Sequence, residues 1–187
     1  MLAAICRVRR PKTVFEFGTF TGRTAASFAA NTPEESVVYT LDIPHDHPKL
    51  KEVGQEEKYV LGQETRKLFE GTGYGRKIRQ IWADSAEFNE ATFQGQMDLV
   101  FIDASHSYEY VTNDTMKSLR ILKPGGVLLW HDYQFSWPDV VRFLNERAKE
   151  LGIVRMAGTS NAVAILSDPP RTLSPRPERA LNGGGGS

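Results

Sequence analysis

Glu16, Gly18 and Gly22 stand as E-x-G-x-x-x-G at the end of a short apolar run, Thr13 to Phe17, with Phe20 inside the turn and an alanine-rich segment after it. A glycine at position 18 lets the backbone bend sharply and approach a ligand, and Gly22 lets a helix start close against the strand. The spacing lacks the third glycine of a dinucleotide loop, and no Gly-Lys-Ser/Thr follows to cradle a triphosphate. A carboxylate at that mouth, in place of phosphate-binding groups, suits a ligand that is cationic or rich in hydroxyls. Acids recur at the ends of later apolar runs, at Asp42, Asp84, Asp103 and Asp132. Asp103 and Asp132 would end neighbouring strands, and two converging carboxylates can hold a divalent cation that acidifies a bound hydroxyl. His106, three residues beyond Asp103, offers a second device, because imidazole titrates near neutrality and can take a hydroxyl proton without a metal. The alternative for His106 is a loop residue capping the next helix. Asp84 with Ser85 likewise reads either as a ligand contact or as a helix N-cap. His131 beside Asp132 gives an apolar strand a polar end that calls for a function. His45 and His47, set among Pro44 and Pro48, read as a surface loop rather than a metal pair.

A scaffold that gathers strand ends is needed to bring these groups together, and the chain spells one. Strands are expected at Thr13–Phe17, Val37–Asp42, Lys77–Trp82, Met97–Asp103 and Val127–His131. Between them, helical spacing is carried by Lys58–Phe69 and by Tyr108, Val111, Thr115, Leu119 and Leu122, the second ended by Lys123-Pro124-Gly125-Gly126. A helix stops before Pro11, Pro138 opens another, and Ile153–Ala157 with Ala162–Leu166 forms a terminal hairpin. Alternating strands and helices predict a mostly parallel sheet covered on both faces, with ligands bound beyond the carboxyl ends of its strands. S-adenosylmethionine, with its sulfonium, amino group and ribose, matches the ligand chemistry inferred at Gly18.

At 187 residues the chain suits one domain, read as 1–167, followed by a disordered Pro- and Gly-rich tail at 168–187 that is in part linker-like. Basic and acidic residues balance at 23 each, so no net field draws nucleic acid or an anionic membrane. One cysteine, Cys6, precludes an internal disulfide and fits a reducing, cytoplasmic setting. No apolar run approaches a membrane span. Few residues precede the first strand. The site is therefore open, is closed by a second copy in a homodimer, or belongs to a longer chain.

Val14-Phe15-Glu16-Phe17-Gly18, Asp42, Asp84 and Leu122-Lys123-Pro124-Gly125-Gly126 together resemble the class I S-adenosylmethionine-dependent methyltransferases. Phe101-Ile102-Asp103-Ala104-Ser105-His106-Ser107-Tyr108-Glu109, Asp114 and Trp130-His131-Asp132-Tyr133 look like the small-molecule methyltransferase-24 type. The resemblance implies an α/β, Rossmann-like doubly wound sheet of seven strands in the order 3-2-1-4-5-7-6, the last antiparallel. It implies a cofactor set of Glu16, Gly18, Phe20, Gly22, Asp42, Asp84, Ser85 and Asp103, with Asp42 on the ribose hydroxyls and Asp84 with the Ser85 backbone on the adenine edge. It further implies His106 and Asp103 as catalytic groups, and Asp103, His131 and Asp132 as ligands of a magnesium or manganese ion. The expected reaction is methyl transfer to a small-molecule hydroxyl, on a sugar or natural product. The competing readings are a cofactor-binding domain without catalysis, a NAD-dependent oxidoreductase, which the missing third glycine opposes, and an iron-using hydroxylase-like relative built on His131 and Asp132.

Overall fold

The computed structural model describes residues 1–51, 67–170 and 172–174. In chain order its main elements are α1 (Leu2–Arg9), β1 (Thr13–Phe17), α2 (Arg23–Asn31), β2 (Val37–Asp42), β3 (Ile78–Trp82), β4 (Met97–Ile102), α3 (Tyr108–Ile121), β5 (Leu122–Trp130), α4 (Pro138–Leu151), β6 (Val154–Arg155) and β7 (Ala162–Leu166). The seven strands form one sheet in the order β3-β2-β1-β4-β5-β7-β6. β1 to β5 pair in parallel, while β7 runs antiparallel to both β5 and β6. Fold class, strand order and the sense of the last strand are those the sequence implies.

Period-two alternation builds the core on both sides of this sheet. Val14, Val38, Leu99, Phe101, Val127 and Leu129 pack on one face with Ala25, Phe28 and Ala29 of α2. Phe15, Phe17, Val100, Ile102, Leu128 and Trp130 pack on the other with residues of α3 and α4. A strand buried on both faces has few polar positions to spare before its end, which explains the largely apolar runs and the acids that close them. Helix ends follow from local chemistry. Ser107 caps α3 by accepting from the Tyr110 amide at 3.3 Å, Pro138 opens α4, and Gly152 at φ +64° closes it.

Several boundaries differ from the sequence reading. β3 starts at Ile78, because Lys77 is drawn into a preceding 3-10 turn where its ammonium donates to the Ala29 and Thr32 carbonyls at 2.5 and 3.0 Å. β5 starts at Leu122 rather than Val127, since Leu122 is buried opposite Met97 and a register shift beside Met97 absorbs the Lys123–Gly126 stretch. Most of the helix expected at Lys58–Phe69 lies outside the described residues, and its last two residues, 68 and 69, are turn. The packed chain also runs past 167. Leu173 lies against the core, and Arg147 Nη1 donates to the Ser174 carbonyl at 2.8 Å. The rest of the tail, and with it the disorder expected there, is outside the described residues. No described helix is long and apolar enough to cross a membrane.

Candidate active-site cleft

The carboxyl ends of β1, β2, β3, β4 and β5 open onto one cleft of about 710 Å³, a size usual for a small-molecule site. Its floor is the Gly18 turn. Gly18 has φ +90°, its amide donates to the Leu41 carbonyl at 2.8 Å, and a Cβ there would lie 1.9 Å from the Asp103 carbonyl oxygen. The β1 turn and the end of β4 are therefore packed backbone on backbone, a contact only glycine permits. Beneath it Glu16 is buried and accepts from Thr40 Oγ1 at 2.5 Å. Burial raises the Glu16 pKa well above its usual value, against the Thr40 hydrogen bond. Thr19 Oγ1 lies 2.6 Å from Thr40 Oγ1, and either hydroxyl can be the donor, while Gln80 Nε2 donates to Thr19 Oγ1 at 3.0 Å. Glu16 and Gly22 do not line the cleft. Gly22 caps α2 at φ +75°, where a Cβ would meet the Phe69 ring at 2.6 Å.

Asp42 ends β2 on the cleft wall. Oδ2 accepts from the Phe20 amide at 3.0 Å and lies 3.5 Å from Lys67 Nζ, while Oδ1 accepts from the Ile43 amide at 3.1 Å. One amide per oxygen leaves lone pairs open to donors from the cleft. Lys67 also donates to the Phe20 carbonyl, which pins a turn whose φ at Phe20 is +45°. Asp84 behaves otherwise. Lys49 Nζ lies 2.5 Å from Oδ2, the Tyr110 hydroxyl 3.0 Å from both oxygens, and the Ala86 amide 2.8 Å from Oδ1. Burial alone would raise Asp84, but Lys49, Ala86 and Tyr110 hold it below the usual carboxylate range. Asp84 lines the cleft with its oxygens committed to the protein, and Ser85 stands beside it. His47 and Glu87 come close enough to Asp84 to suggest a cation site, yet the Lys49 ammonium already occupies that junction.

Asp103, His106, His131 and Asp132 meet at the other end. His106 Nε2 lies 2.8 Å from Asp132 Oδ2, and its ring stacks on Trp137 with centroids 3.5 Å apart and planes at 9°. His106 Nδ1 is buried and without a hydrogen-bond partner. His131 Nδ1 lies 3.1 Å from Asp103 Oδ1 and 3.0 Å from Asp132 Oδ2, but off the line of a hydrogen bond to either. The Asp103 carboxylate, then that of Asp132, raises the His131 pKa to about 10. Asp132, at φ +56°, would be raised by burial, but His106 and His131 hold it far below its usual value. The chain thus brings Gly18, Phe20, Asp42, Asp84, Ser85, Asp103, His106, His131 and Asp132 onto one cleft.

Sequence reasoning missed Lys49, Lys67 and Tyr110. Tyr110 and Trp137 carried a faint signal, as aromatics within reach of strand-end acids. Nothing near Lys49 or Lys67 in the chain marks the acid each one meets.

A family model described as a methyltransferase domain matches residues 15–133. The chain is 28% identical over 163 residues to a catechol O-methyltransferase domain-containing protein from Mus musculus, covering 79% of this chain and 56% of that one. It is 24% identical over 131 residues to a putative O-methyltransferase of Mycobacterium sp. (strain JLS), with 70% and 53% covered. It spans little more than half the length of these relatives. Among solved structures it resembles the O-methyltransferase TomG of Streptomyces achromogenes, solved with SAM, at TM-score 0.59, 15% identity and coverage of 88% and 78%. An O-methyltransferase of Bacillus cereus, solved with SAH, gives TM-score 0.58 at 13% identity, also covering 88% and 78%. At such identities these two likenesses show the fold. The family model, matching more than half of the 187 residues, shows more: the chain belongs to the methyltransferase domain family.

Proposed function

We propose that this domain binds S-adenosylmethionine and transfers its methyl group to a hydroxyl of a small molecule, such as a sugar or natural product. The observation that carries the reading is one cleft with two chemically distinct ends. Asp42 and the Gly18 turn suit a ribose and a methionine-like arm, and the hydrogen-bonded His106–Asp132 pair faces them as a base. When bound, the cofactor supplies a sulfonium methyl that an acceptor oxygen takes in line, leaving its bonding electrons on sulfur. Since little charge needs stabilising in such a step, the protein acts mainly by positioning and deprotonation. With its Nε2 hydrogen on Asp132, His106 keeps its lone pair on Nδ1. That nitrogen is buried as the ring stands, so the imidazole must turn it toward the cleft before it can take the proton of a bound hydroxyl, with Asp132 stabilising the imidazolium that results.

The donor set on β4 and β5 fits a divalent cation. His131 Nδ1, Asp103 and Asp132 place their ligand atoms within 4.8 Å of one another, and the buried Nδ1 makes no aligned hydrogen bond. Asp103, His131 and Asp132 would hold the ion, which would lower the pKa of an acceptor hydroxyl. One imidazole among two carboxylates favours manganese over magnesium, which prefers an all-oxygen shell. Calorimetry should therefore find Mn²⁺ bound roughly tenfold tighter than Mg²⁺, and Asp103→Asn should abolish both. Equal affinities, or binding that survives the substitution, would place the ion elsewhere.

The cofactor reading is tested by titrating S-adenosylhomocysteine into the protein. Micromolar binding is expected, and Asp42→Ala should weaken it by about a hundredfold, the loss of two charge-assisted hydrogen bonds. No binding to the parent protein would defeat the reading.

A further inference from the structure

Tyr110, Asn113, Asp114 and Lys117 follow one another at helical spacing along one side of α3, and all four reach the turn that follows β3. Tyr110 holds Asp84, as described above. Asn113 Nδ2 donates to the Ser85 carbonyl at 3.1 Å and to Asp114 Oδ1 at 2.8 Å. Lys117, a residue 6% exposed, donates through its ammonium to the Ser85 carbonyl at 2.6 Å, to that of Ala86 at 3.3 Å and to that of Phe88. Asp114 is fully buried, with Oδ2 lacking a hydrogen-bond partner. Desolvation raises its pKa to about 6, against the pull of the Ser85 and Asn113 side chains and of Lys117. A buried acid, amide and ammonium are costly on a helix face that apolar residues could fill with less desolvation. What they accomplish is local: the Ser85 peptide carbonyl is tied twice, and the turn is fastened at three carbonyls.

That turn is the cleft rim, and its outward chemistry is restricted. The Asp84 oxygens are taken by Lys49, Tyr110 and the Ala86 amide, whereas the Ser85 amide donates to no acceptor among the described residues. A fixed N–H prefers a ring nitrogen with a lone pair. Adenine presents one at N1, where hypoxanthine carries a hydrogen. On the cofactor reading above, we propose that Asn113, Asp114 and Lys117 are positioning residues that set selectivity for adenine over hypoxanthine by fixing the Ser85 peptide.

The test compares S-adenosylhomocysteine with S-inosylhomocysteine by calorimetry, in the parent protein and in Lys117→Met, Lys117→Arg and Asp114→Asn. The parent should prefer the adenosyl ligand by on the order of tenfold or more, one hydrogen bond gained and one clash avoided. Lys117→Met should remove most of that ratio while inosyl affinity hardly changes, and Lys117→Arg should restore part of it. With an acceptor in hand, KM for the cofactor should rise and kcat stay level. Asp114→Asn guards against simple unfolding. Folding raises the Asp114 pKa, so ionising the group as pH rises through about 6 opposes folding. The asparagine variant should therefore melt no lower than the parent at pH 7.5 and still lose selectivity. If both ligands weaken equally in every variant, α3 only supports the fold and the inference falls. A parent that binds both ligands alike also overturns it, with the cofactor reading intact. A parent that binds neither defeats the cofactor reading itself.

Discussion

Gly18→Ala is expected to abolish cofactor binding and to destabilise the fold by about 3 kcal/mol or more. Two costs add. A left-handed φ costs an alanine about 1–2 kcal/mol, and overpacking a tight interior typically adds about 1–3 kcal/mol. The overpacking here is severe, since the new methyl would sit 1.9 Å from the Asp103 carbonyl oxygen, a backbone atom with no rotamer to change. Relief requires β1 and β4 to part at their carboxyl ends. Asp103 and the Gly18 floor then move relative to each other, and a misplacement of about 1 Å in a positioning site is worth roughly a hundredfold. Urea unfolding followed by titration with S-adenosylhomocysteine measures both terms. An alanine variant of parent stability and parent affinity would contradict the backbone contact described here. Gly22→Ala should be milder, because its obstacle is the Phe69 ring, a side chain that can turn aside.

His106→Ala is expected to lower kcat by about 10²- to 10⁴-fold, the usual worth of a positioned general base, with S-adenosylhomocysteine affinity almost unchanged. The separation follows from the geometry. His106 is held by Asp132 and Trp137, whereas Asp42 is held by Phe20, Ile43 and Lys67. Turnover is read as S-adenosylhomocysteine released with an acceptor found by screening phenols and sugar hydroxyls. Asp132→Asn should lose part of the same rate, since the amide still accepts from Nε2 but no longer supplies charge to an imidazolium. If His106→Ala keeps parent kcat while chelation stops the reaction, deprotonation belongs to a cation on Asp103, His131 and Asp132. If it weakens the cofactor as strongly as it slows turnover, His106 is a wall of the binding site.

The amino-acid sequence by itself determined the sheet and the place of the cleft. Apolar runs closed by Asp42, Asp103 and His131-Asp132 read as strands buried on both faces, with most of their polar groups gathered at the ends. The Gly18 turn was legible for the same reason, because a glycine behind such a run marks where the backbone must bend. Tertiary structure alone decided what those groups do once gathered. Asp84 read either as a ligand contact or as a cap, and the Lys49 that arrives at 2.5 Å from 35 positions away in the chain is something local patterning cannot foresee. His106 read equally as a cap or a base until β5 brought Asp132 to within 2.8 Å across 26 positions. Strands and turns are set by each residue's near neighbours. The charge state and orientation of a side chain are set by whichever distant groups the fold packs against it.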